Sequence, residues 1–316
     1  MTGQLKLFDD GNEPKTSLDY RGQVLEPIQL DKDRAVSPAD LVPLDSQFRF
    51  TNNYNISGSL IGRMLRALAD RANQSDFTRE ALASELTIPS ERIESMFRFV
   101  RKAELSKTKN KLTAFGRLIL DNDPYFLNTG SLWFLHFLIA SNANIIIWSR
   151  LFDIVFREND EVSPGNITQY YSDVRRGMKE RVFQYNGAKE LGAVLRTYAD
   201  DMFRPLNLVM RLAIGRYAVL TDEFPIPLLI WLASILVYRD RYYPNAATLE
   251  THLLVDAHFS PGRLFRQTEK TVRQVLDGLH NAGQLTVESH LGLDQVRFKN
   301  EITWLSALAR YFEEGR

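Results

Sequence analysis

Basic side chains are concentrated between Arg92 and Arg117, where eight lysines and arginines stand against two acidic residues, a net charge of +6. Guanidinium and ammonium groups at this density suit the oxygens of a phosphate backbone, so the chemistry they predict is nucleic-acid binding. The alternative is a solvated surface that binds nothing, as charge runs commonly are. The candidate DNA contacts in this segment are Arg92, Arg98, Arg101, Lys102, Lys107, Lys109 and Lys111.

A second, weaker basic set lies closer to the C-terminus. Its candidate DNA contacts are Arg263, Arg266, Lys270 and Arg273. Four acidic residues dilute it, namely Glu269, Asp277, Glu288 and Asp294. Because nonspecific DNA affinity depends on net positive charge, this set favours protein docking or a structural role over direct DNA contact.

Residues suited to enzymatic chemistry do not form a recognisable constellation. His136 lies in an apolar run without an acid-base partner, which indicates a packed core histidine. The carboxylate pairs Asp200/Asp201 and Asp121/Asp123 could hold magnesium in a nuclease, but no supporting motif surrounds them. We therefore predict no catalytic residue, no metal site, no cofactor and no enzymatic activity.

The first basic set falls on elements that would present it to a ligand. Hydrophobic spacing predicts a helix over 57–72, a second helix capped by Thr78, and a third helix after the break at 87–90. The arginines lie on the polar side of the third helix, and the lysines lie on the polar corner at 107–111 that follows it. Helix, turn, helix and corner in this order are typical of a winged helix.

The same order recurs in 247–298, and a final helix is predicted over 302–312. Between the two copies, the apolar runs 131–140 and 145–156 predict core helices, and 162–166 predicts a loop. Further helices are predicted over 167–220. The 15-residue run 224–238 is shorter than the roughly 20 residues of a membrane span, so we interpret it as a buried helix.

The predicted fold is mostly α, with an N-terminal winged helix-turn-helix, a helical middle domain and a C-terminal winged-helix-like module. Residues 1–46 carry nine acidic and five basic side chains with scattered apolar residues, which indicates a solvated, loosely ordered arm; an arm that docks on a partner is the alternative. The predicted boundaries are 1–46 for the arm, 47–122, 123–243 and 244–316 for the three folded parts.

Composition bounds the remaining possibilities. Hydrophobic residues make up 44% and charged residues 25% of the chain, which is ordinary for a soluble globular protein. The zero net charge excludes a highly basic coat protein, and the absence of cysteine excludes disulfides and thiol catalysis. The N-terminal residues lack the pattern of a secretory signal, so we expect a cytoplasmic protein that has no contact with a membrane.

Two stretches, 112–144 and 260–298, resemble the bacterial family known as domain of unknown function 4007. The first carries an L-T-x-x-G turn and a D-P-x5-G-S-L-W-x-L-H run, and the second carries S-P-G-R-x-F and G-L-x-Q-V. The matching positions are Leu112, Thr113, Gly116, Asp123, Pro124, Gly130, Ser131, Leu132, Trp133, Leu135, His136, Ser260, Pro261, Gly262, Arg263, Phe265, Gly292, Leu293, Gln295 and Val296.

The resemblance implies a setting rather than a reaction, since it supplies no catalytic residue. Similar proteins tend to be encoded in phage-defence gene clusters, beside proteins of DNA phosphorothioation and related DNA-modifying systems. We therefore expect a DNA-binding accessory subunit that contacts duplex DNA and the protein subunits of such a complex. Two alternatives remain, namely an interaction scaffold that never touches DNA, and a transcriptional regulator, which would be a homodimer on a palindromic site.

Overall fold

The structure is a computed structural model, and it describes residues 17–18, 24–25, 50–71, 78–108, 111–175, 178–221, 224–289 and 294–315. Helices dominate the described residues, which confirms the mostly α fold, and small sheets accompany them. Strands β1 (Ser17–Leu18) and β2 (Val24–Leu25) pair antiparallel. Apart from that pairing, the predicted arm lies outside the described residues.

The N-terminal helices occur close to their predicted positions. Thr78 caps α2 by accepting a hydrogen bond from the backbone N–H of Ala81, as its position before the helix predicts. A short antiparallel hairpin, β3 with β4, follows α3 where a polar corner was predicted. These elements are α1 (Gly58–Asp70), α2 (Arg79–Leu86), α3 (Ser90–Lys102), β3 (Ser106–Thr108), β4 (Lys111–Leu112) and α4 (Ala114–Asn122).

The middle of the chain is built around helices that are apolar on nearly every face. Every residue of α5 from Gly130 to Ala140 is buried, as the lack of polar positions in that run predicts. A π-helical turn at Leu151–Val155 interrupts the second core helix between α6 and α7. These elements are α5 (Thr129–Ala140), α6 (Ile146–Arg150), α7 (Phe156–Glu158), α8 (Pro164–Ile167), α9 (Glu180–Ala199) and α10 (Leu228–Tyr242), with 3-10 turns at Thr168–Arg175 and Arg204–Leu206.

Two predictions for this region are wrong. The helical assignment of 167–220 fails at its end, where β6 (Val209–Ala213) and β7 (Arg216–Val219) form a hairpin. Gly215 adopts φ +73° in the connecting turn, a conformation that favours glycine. The predicted loop at 162–166 instead contains the end of β5 (Glu161–Val162), which pairs with β7, and most of α8.

The C-terminal part follows the order strand, three helices, two strands, helix. Strand β10 lies between β8 and β9 in an antiparallel sheet, and the last helix packs on α10. The elements are β8 (Thr248–Glu250), α11 (Thr251–Val255), α12 (Pro261–Leu264), α13 (Glu269–Asn281), β9 (Leu285–Glu288), β10 (Gln295–Phe298) and α14 (Trp304–Glu314).

Buried hydrophobic side chains from Phe50 to Phe312 form one cluster across these elements. Helix α10 is its centre, and its residues from Leu229 to Tyr238 are all buried. The apolar run 224–238 is therefore a buried helix from Leu229 to Tyr238, while residues 224–227 precede the helix. None of the described helices combines the length and the apolar composition that crossing a membrane requires.

Candidate nucleic-acid interface

The C-terminal end of α3 and the β3–β4 hairpin expose three of the predicted phosphate contacts. Arg101 ends the helix, Lys107 lies on β3 and Lys111 lies on β4, and all three side chains are exposed. Thr108 is the strand partner of Lys111, and Lys107 precedes Thr108 on the same strand. Within the described part of the chain, none of the three cations has an ion-pair partner.

The other candidates in this segment are placed differently. Arg98 forms an ion pair with Glu94 and donates to the carbonyl of Phe50 and the side chain of Asn52, which ties α3 to the chain before α1. Arg92 is half-buried with its guanidinium 5.8 Å from the ring of Tyr54. These two arginines are turned toward their own protein, which leaves them less available to a ligand.

Lys102 is half-buried at the end of α3 and is engaged within the protein. Lys109, the third lysine of the predicted wing, lies outside the described residues. Its role therefore remains a prediction from the sequence.

Close backbone contacts hold the base of the hairpin. Thr113 caps α4 and donates its hydroxyl to the carbonyl of Glu104, while its N–H donates to Leu105 at 3.1 Å. A Cβ added to Gly116 would lie 1.9 Å from the carbonyl oxygen of Leu105, so only glycine permits this contact. The hairpin therefore leaves α3 in a fixed direction, which a phosphate-binding edge requires.

Sequence analysis missed two arginines on α1, the helix that packs on β4. Arg63 and Arg66 are exposed, three residues apart on one face of α1. Arg63 donates to the carbonyl of Leu86 at 3.2 Å, and Arg66 lies 6.0 Å from the ring of Tyr125. Their spacing on the polar face of the first predicted helix is the signal that could have identified them.

Arginines of the C-terminal set are largely committed to the protein itself. Arg263 binds the buried Asp153, with its Nε 2.8 Å from Oδ1 of that carboxylate. Arg266 donates to the carbonyl of Phe156, and burial lowers the pKa of its guanidinium.

Arg273 forms ion pairs with Glu269 and Asp294, which raise the pKa of its guanidinium. The same contact lowers the pKa of Asp294. Lys270 is exposed and, within the described residues, has no partner. The structure therefore leaves Lys270 as the available cation of the second set.

Of the carboxylates considered for magnesium, Asp123, Asp200 and Asp201 are engaged within the protein, and Asp121 is exposed. Asp123 accepts hydrogen bonds from the backbone N–H groups of Leu127 and Asn128, and burial raises its pKa. Asp201 accepts from Asn55, burial raises its pKa, and Asp200 pairs with Arg211. Among the described residues, no three histidine, aspartate or glutamate side chains stand close enough to share a metal ion.

His136 is fully buried, which confirms the prediction of a packed core histidine. Its Nδ1 lies 2.7 Å from the hydroxyl of Tyr198, and its Nε2 lies 3.2 Å from the carbonyl of Leu264. Burial lowers its pKa to about 4, so the ring is neutral near pH 7. The motif that contains His136 therefore connects three parts of the core.

Comparison with known proteins identifies solved structures of the same fold. No curated protein sequence matches the chain. Two solved structures are similar, one described as "SspB crystal structure" and the other as "Magnesium ion-bound SspB crystal structure". Each has a TM-score of 0.67 and covers 85% of this chain and 88% of its own, at 18% and 17% identity respectively. At that identity the likeness establishes the fold alone.

The family of this chain is identified by a match to a family model. The model of the family described as "Protein of unknown function (DUF4007)" matches residues 66–312, most of the chain. The match spans the hairpin, the core helix with His136 and the C-terminal sheet. The resemblance identified from the two sequence stretches is thereby confirmed, and the chain belongs to the DUF4007 family.

Proposed function

We propose that this protein is a DNA-binding accessory subunit of an antiphage defence or DNA-modification complex of the phosphorothioation type. Arg101, Lys107 and Lys111 contact the phosphates of duplex DNA. The observation that carries the proposal is the exposure of these three cations at the end of one helix and on the adjoining hairpin, without ion-pair partners among the described residues. Unpaired cations on such an edge release counterions when they bind phosphate, which supplies affinity.

The order of elements supports a winged helix in each half of the protein. A three-residue turn separates α2 from α3, with Thr87 in the left-handed region at φ 57°, and the hairpin follows as the wing. In the C-terminal part, β8, three short helices and the β9–β10 pair follow the same plan. We propose that the first unit contacts DNA and that the second, with its paired arginines, docks on the protein or on a partner.

The setting of the proposal comes from the family. The DUF4007 resemblance implies a place beside DNA-modifying systems, and an accessory subunit fits a chain in which Asp123 and His136 are engaged within the protein. One of the similar SspB structures is described as magnesium ion-bound, so magnesium belongs in any test of this protein on DNA. Strand cleavage in its presence would contradict the expectation of a non-enzymatic subunit.

The experiment measures binding to a labelled duplex over a range of salt concentrations. Changing Lys107, Lys109 and Lys111 together to alanine should weaken binding and make the slope of log affinity against log salt shallower by up to about 2.7, since each phosphate contact contributes about 0.9. Lys179→Ala is the matched control, because that lysine is exposed at the start of α9, away from the hairpin. An unchanged slope in the triple variant would remove the hairpin from the interface.

A protein-interaction scaffold is the second candidate, and the β6–β7 hairpin favours it. Met210 and Leu212 are each 46% exposed and Ile214 is 98% exposed, an apolar surface of the kind that partner proteins cover. Absence of DNA binding at low salt, together with stable co-purification with the product of a neighbouring gene, would establish the scaffold function. A monomer in solution would count against the transcriptional regulator.

A further inference from the structure

The loop at 123–128, which we call the Tyr125 loop, is built rigidly although it joins two helices at the surface. Asp123 accepts from the N–H groups of Leu127 at 2.8 Å and Asn128 at 3.2 Å. Asn128 caps α5 and also accepts a hydrogen bond from the hydroxyl of Tyr311 at 2.6 Å. Both ends of the loop are therefore fixed by side chains that hold its backbone.

Two glycines of α1 allow this loop to lie directly against the helix, because they have no Cβ. A Cβ on Gly62 would lie 1.9 Å from the carbonyl oxygen of Pro124, and one on Gly58 would lie 3.3 Å from Cβ of Phe126. Phe126 is buried and adopts φ +55°, a strained conformation for a bulky residue. Strain of this kind persists only where the surrounding structure enforces it, and it is concentrated at binding and active sites.

These contacts leave two large apolar side chains of the loop exposed to solvent. With Phe126 turned inward, Tyr125 on one side is 58% exposed and Leu127 on the other is 79% exposed. The loop is too well anchored for this exposure to reflect loose packing. A rigid loop that holds an aromatic ring in solvent is a preorganised contact surface.

Positive charge accompanies the ring. Arg66 lies 6.0 Å from the Tyr125 ring, and Arg63 is exposed on the same face of α1. The acidic residue of that helix is Asp70, at its C-terminal end. Helix α1 also packs on β4, the strand that carries Lys111. The loop and the proposed phosphate contacts are thus joined by one helix.

We propose that the Tyr125 loop binds an unstacked nucleobase of single-stranded nucleic acid, next to the duplex that the hairpin holds. The base stacks on Tyr125 and Leu127, and Arg66 and Arg63 bind the adjoining phosphates. An aromatic face beside arginine is the combination that single-strand binding proteins use, because every base offers a stacking face and every nucleotide a phosphate. The inference rests on the proposed function, since it adds a subsite to a DNA interface.

Charge favours this occupant over a hydrophobic peptide. A peptide anchor would need only the apolar side chains, whereas the exposed guanidinium of Arg66 beside the Tyr125 ring favours a ligand that also carries negative charge. A nucleotide supplies the flat apolar surface and the negative charge in one unit. Acidic peptides supply the charge, but a base also provides the planar face that matches the Tyr125 ring.

The test compares two DNA probes with the full-length protein. One is a blunt duplex, and the other is the same duplex with a short single-stranded extension that carries 2-aminopurine, whose fluorescence reports stacking. We expect tighter binding of the extended probe and quenching of its fluorescence. Tyr125→Ala should reduce the preference for the extended probe roughly tenfold, the size of one base–aromatic stack. Tyr125→Phe, which keeps the ring, should retain the preference.

Each outcome decides between the two proposals. Equal, salt-dependent binding of both probes by the unmodified protein overturns the nucleobase site and leaves the DNA-binding function intact. No binding of either probe overturns both. A loss of preference as large in Tyr125→Phe as in Tyr125→Ala rejects ring stacking, and thermal unfolding of the variants verifies that this exposed position does not affect the fold.

Discussion

At the scale of single residues, His136 demonstrates how neighbours fix the state of a buried ring. The Trp148 indole can only donate, and it donates to the hydroxyl of Tyr198 at 2.8 Å. The Leu264 carbonyl can only accept, so Nε2 of His136 carries the proton of the neutral ring and donates to it. Nδ1 is then unprotonated and accepts from the Tyr198 hydroxyl. The neutral ring thus satisfies every member of a buried chain of hydrogen bonds.

This arrangement makes stability depend on pH in a predictable direction. The pKa of His136 is about 4 in the folded protein and 6.5 in the unfolded chain, so the unfolded chain binds more protons between these values. The contribution of neutral His136 to the free energy of unfolding is fully present above pH 6.5 and is lost as the pH falls toward 4. Between pH 6.5 and pH 5 the free energy of unfolding should decrease by about 2 kcal/mol through this residue.

Urea unfolding at pH 7 and pH 5 measures this effect. His136→Phe removes the titrating group and lowers the free energy of unfolding at both pH values. The informative quantity is therefore the difference in that free energy between pH 7 and pH 5. We expect that difference to be about 2 kcal/mol smaller in the variant. An identical pH dependence in both proteins would refute the role of His136.

Sequence reasoning was most successful for residues whose environment is set by near neighbours. The burial of His136 followed from the apolar run around it, and the Thr78 cap followed from its position. The contacts of Arg263 and Arg266 within the protein could not be predicted from the sequence, because their partners Asp153 and Phe156 lie 110 residues away. Long-range pairing of this kind leaves no local pattern to detect.

At the scale of elements, the hairpin after α3 depends on glycine at its base. Gly116→Ala places a methyl group against the carbonyl oxygen of Leu105, and backbone atoms on both sides cannot move aside cheaply. We expect a loss of about 1–3 kcal/mol in the free energy of unfolding. The matched control is Gly165→Ala in α8, where an added Cβ meets nothing within 4 Å.

Denaturant unfolding of the two alanine variants gives the measurement. DNA affinity of Gly116→Ala should decrease as well, since the direction of the hairpin from α3 would change. Equal stability of the two variants would mean that the contact at Leu105 relaxes without cost.

The hairpin β6–β7 was not predicted from the sequence, which indicated helices there. Met210, Leu212 and Ala213 favour helices, and the run 209–219 follows the long helix α9. Its two strands pair with each other, and β7 also pairs with β5, about 55 residues earlier in the chain. Gly215 between Ile214 and Arg216 was the available local signal for a turn.

At the scale of the whole molecule, Asp153 joins the middle of the chain to the C-terminal part. This carboxylate is 1% exposed, it contacts the ring of His258 and it accepts a hydrogen bond from the N–H of Phe259. It also forms an ion pair with Arg263, whose Nε donates to the backbone carbonyl of Asp153. Removal of one partner from a buried, fully bonded charge leaves the others unpaired, which is costly. The C-terminal sheet and helices should therefore loosen when Asp153 is lost.

Asp153→Ala should lower the free energy of unfolding by about 3–5 kcal/mol and expose the C-terminal part to limited proteolysis. Asp256→Asn is the matched control, because Asp256 pairs with Arg157 and Arg263 at the surface, where ion pairs contribute at most about 1 kcal/mol. Similar protease sensitivity in both variants would show that the buried carboxylate is dispensable. The predicted boundaries at 122 and 243 remain predictions, while the buried hydrophobic cluster extends across both.

The π-helical turn at Leu151–Val155 makes the exact position of a one-residue deletion decisive. A π turn accommodates one more residue than an α turn, and Asp153 lies within it. In a regular α-helix, deleting a single residue rotates one flank by roughly 100° relative to the other. Within the π turn, the same deletion removes the extra residue, so regular α geometry is restored and the two flanks keep their facing. Deletion of Asp153 should therefore leave the helix intact and still detach the C-terminal part, because the carboxylate that holds it is lost.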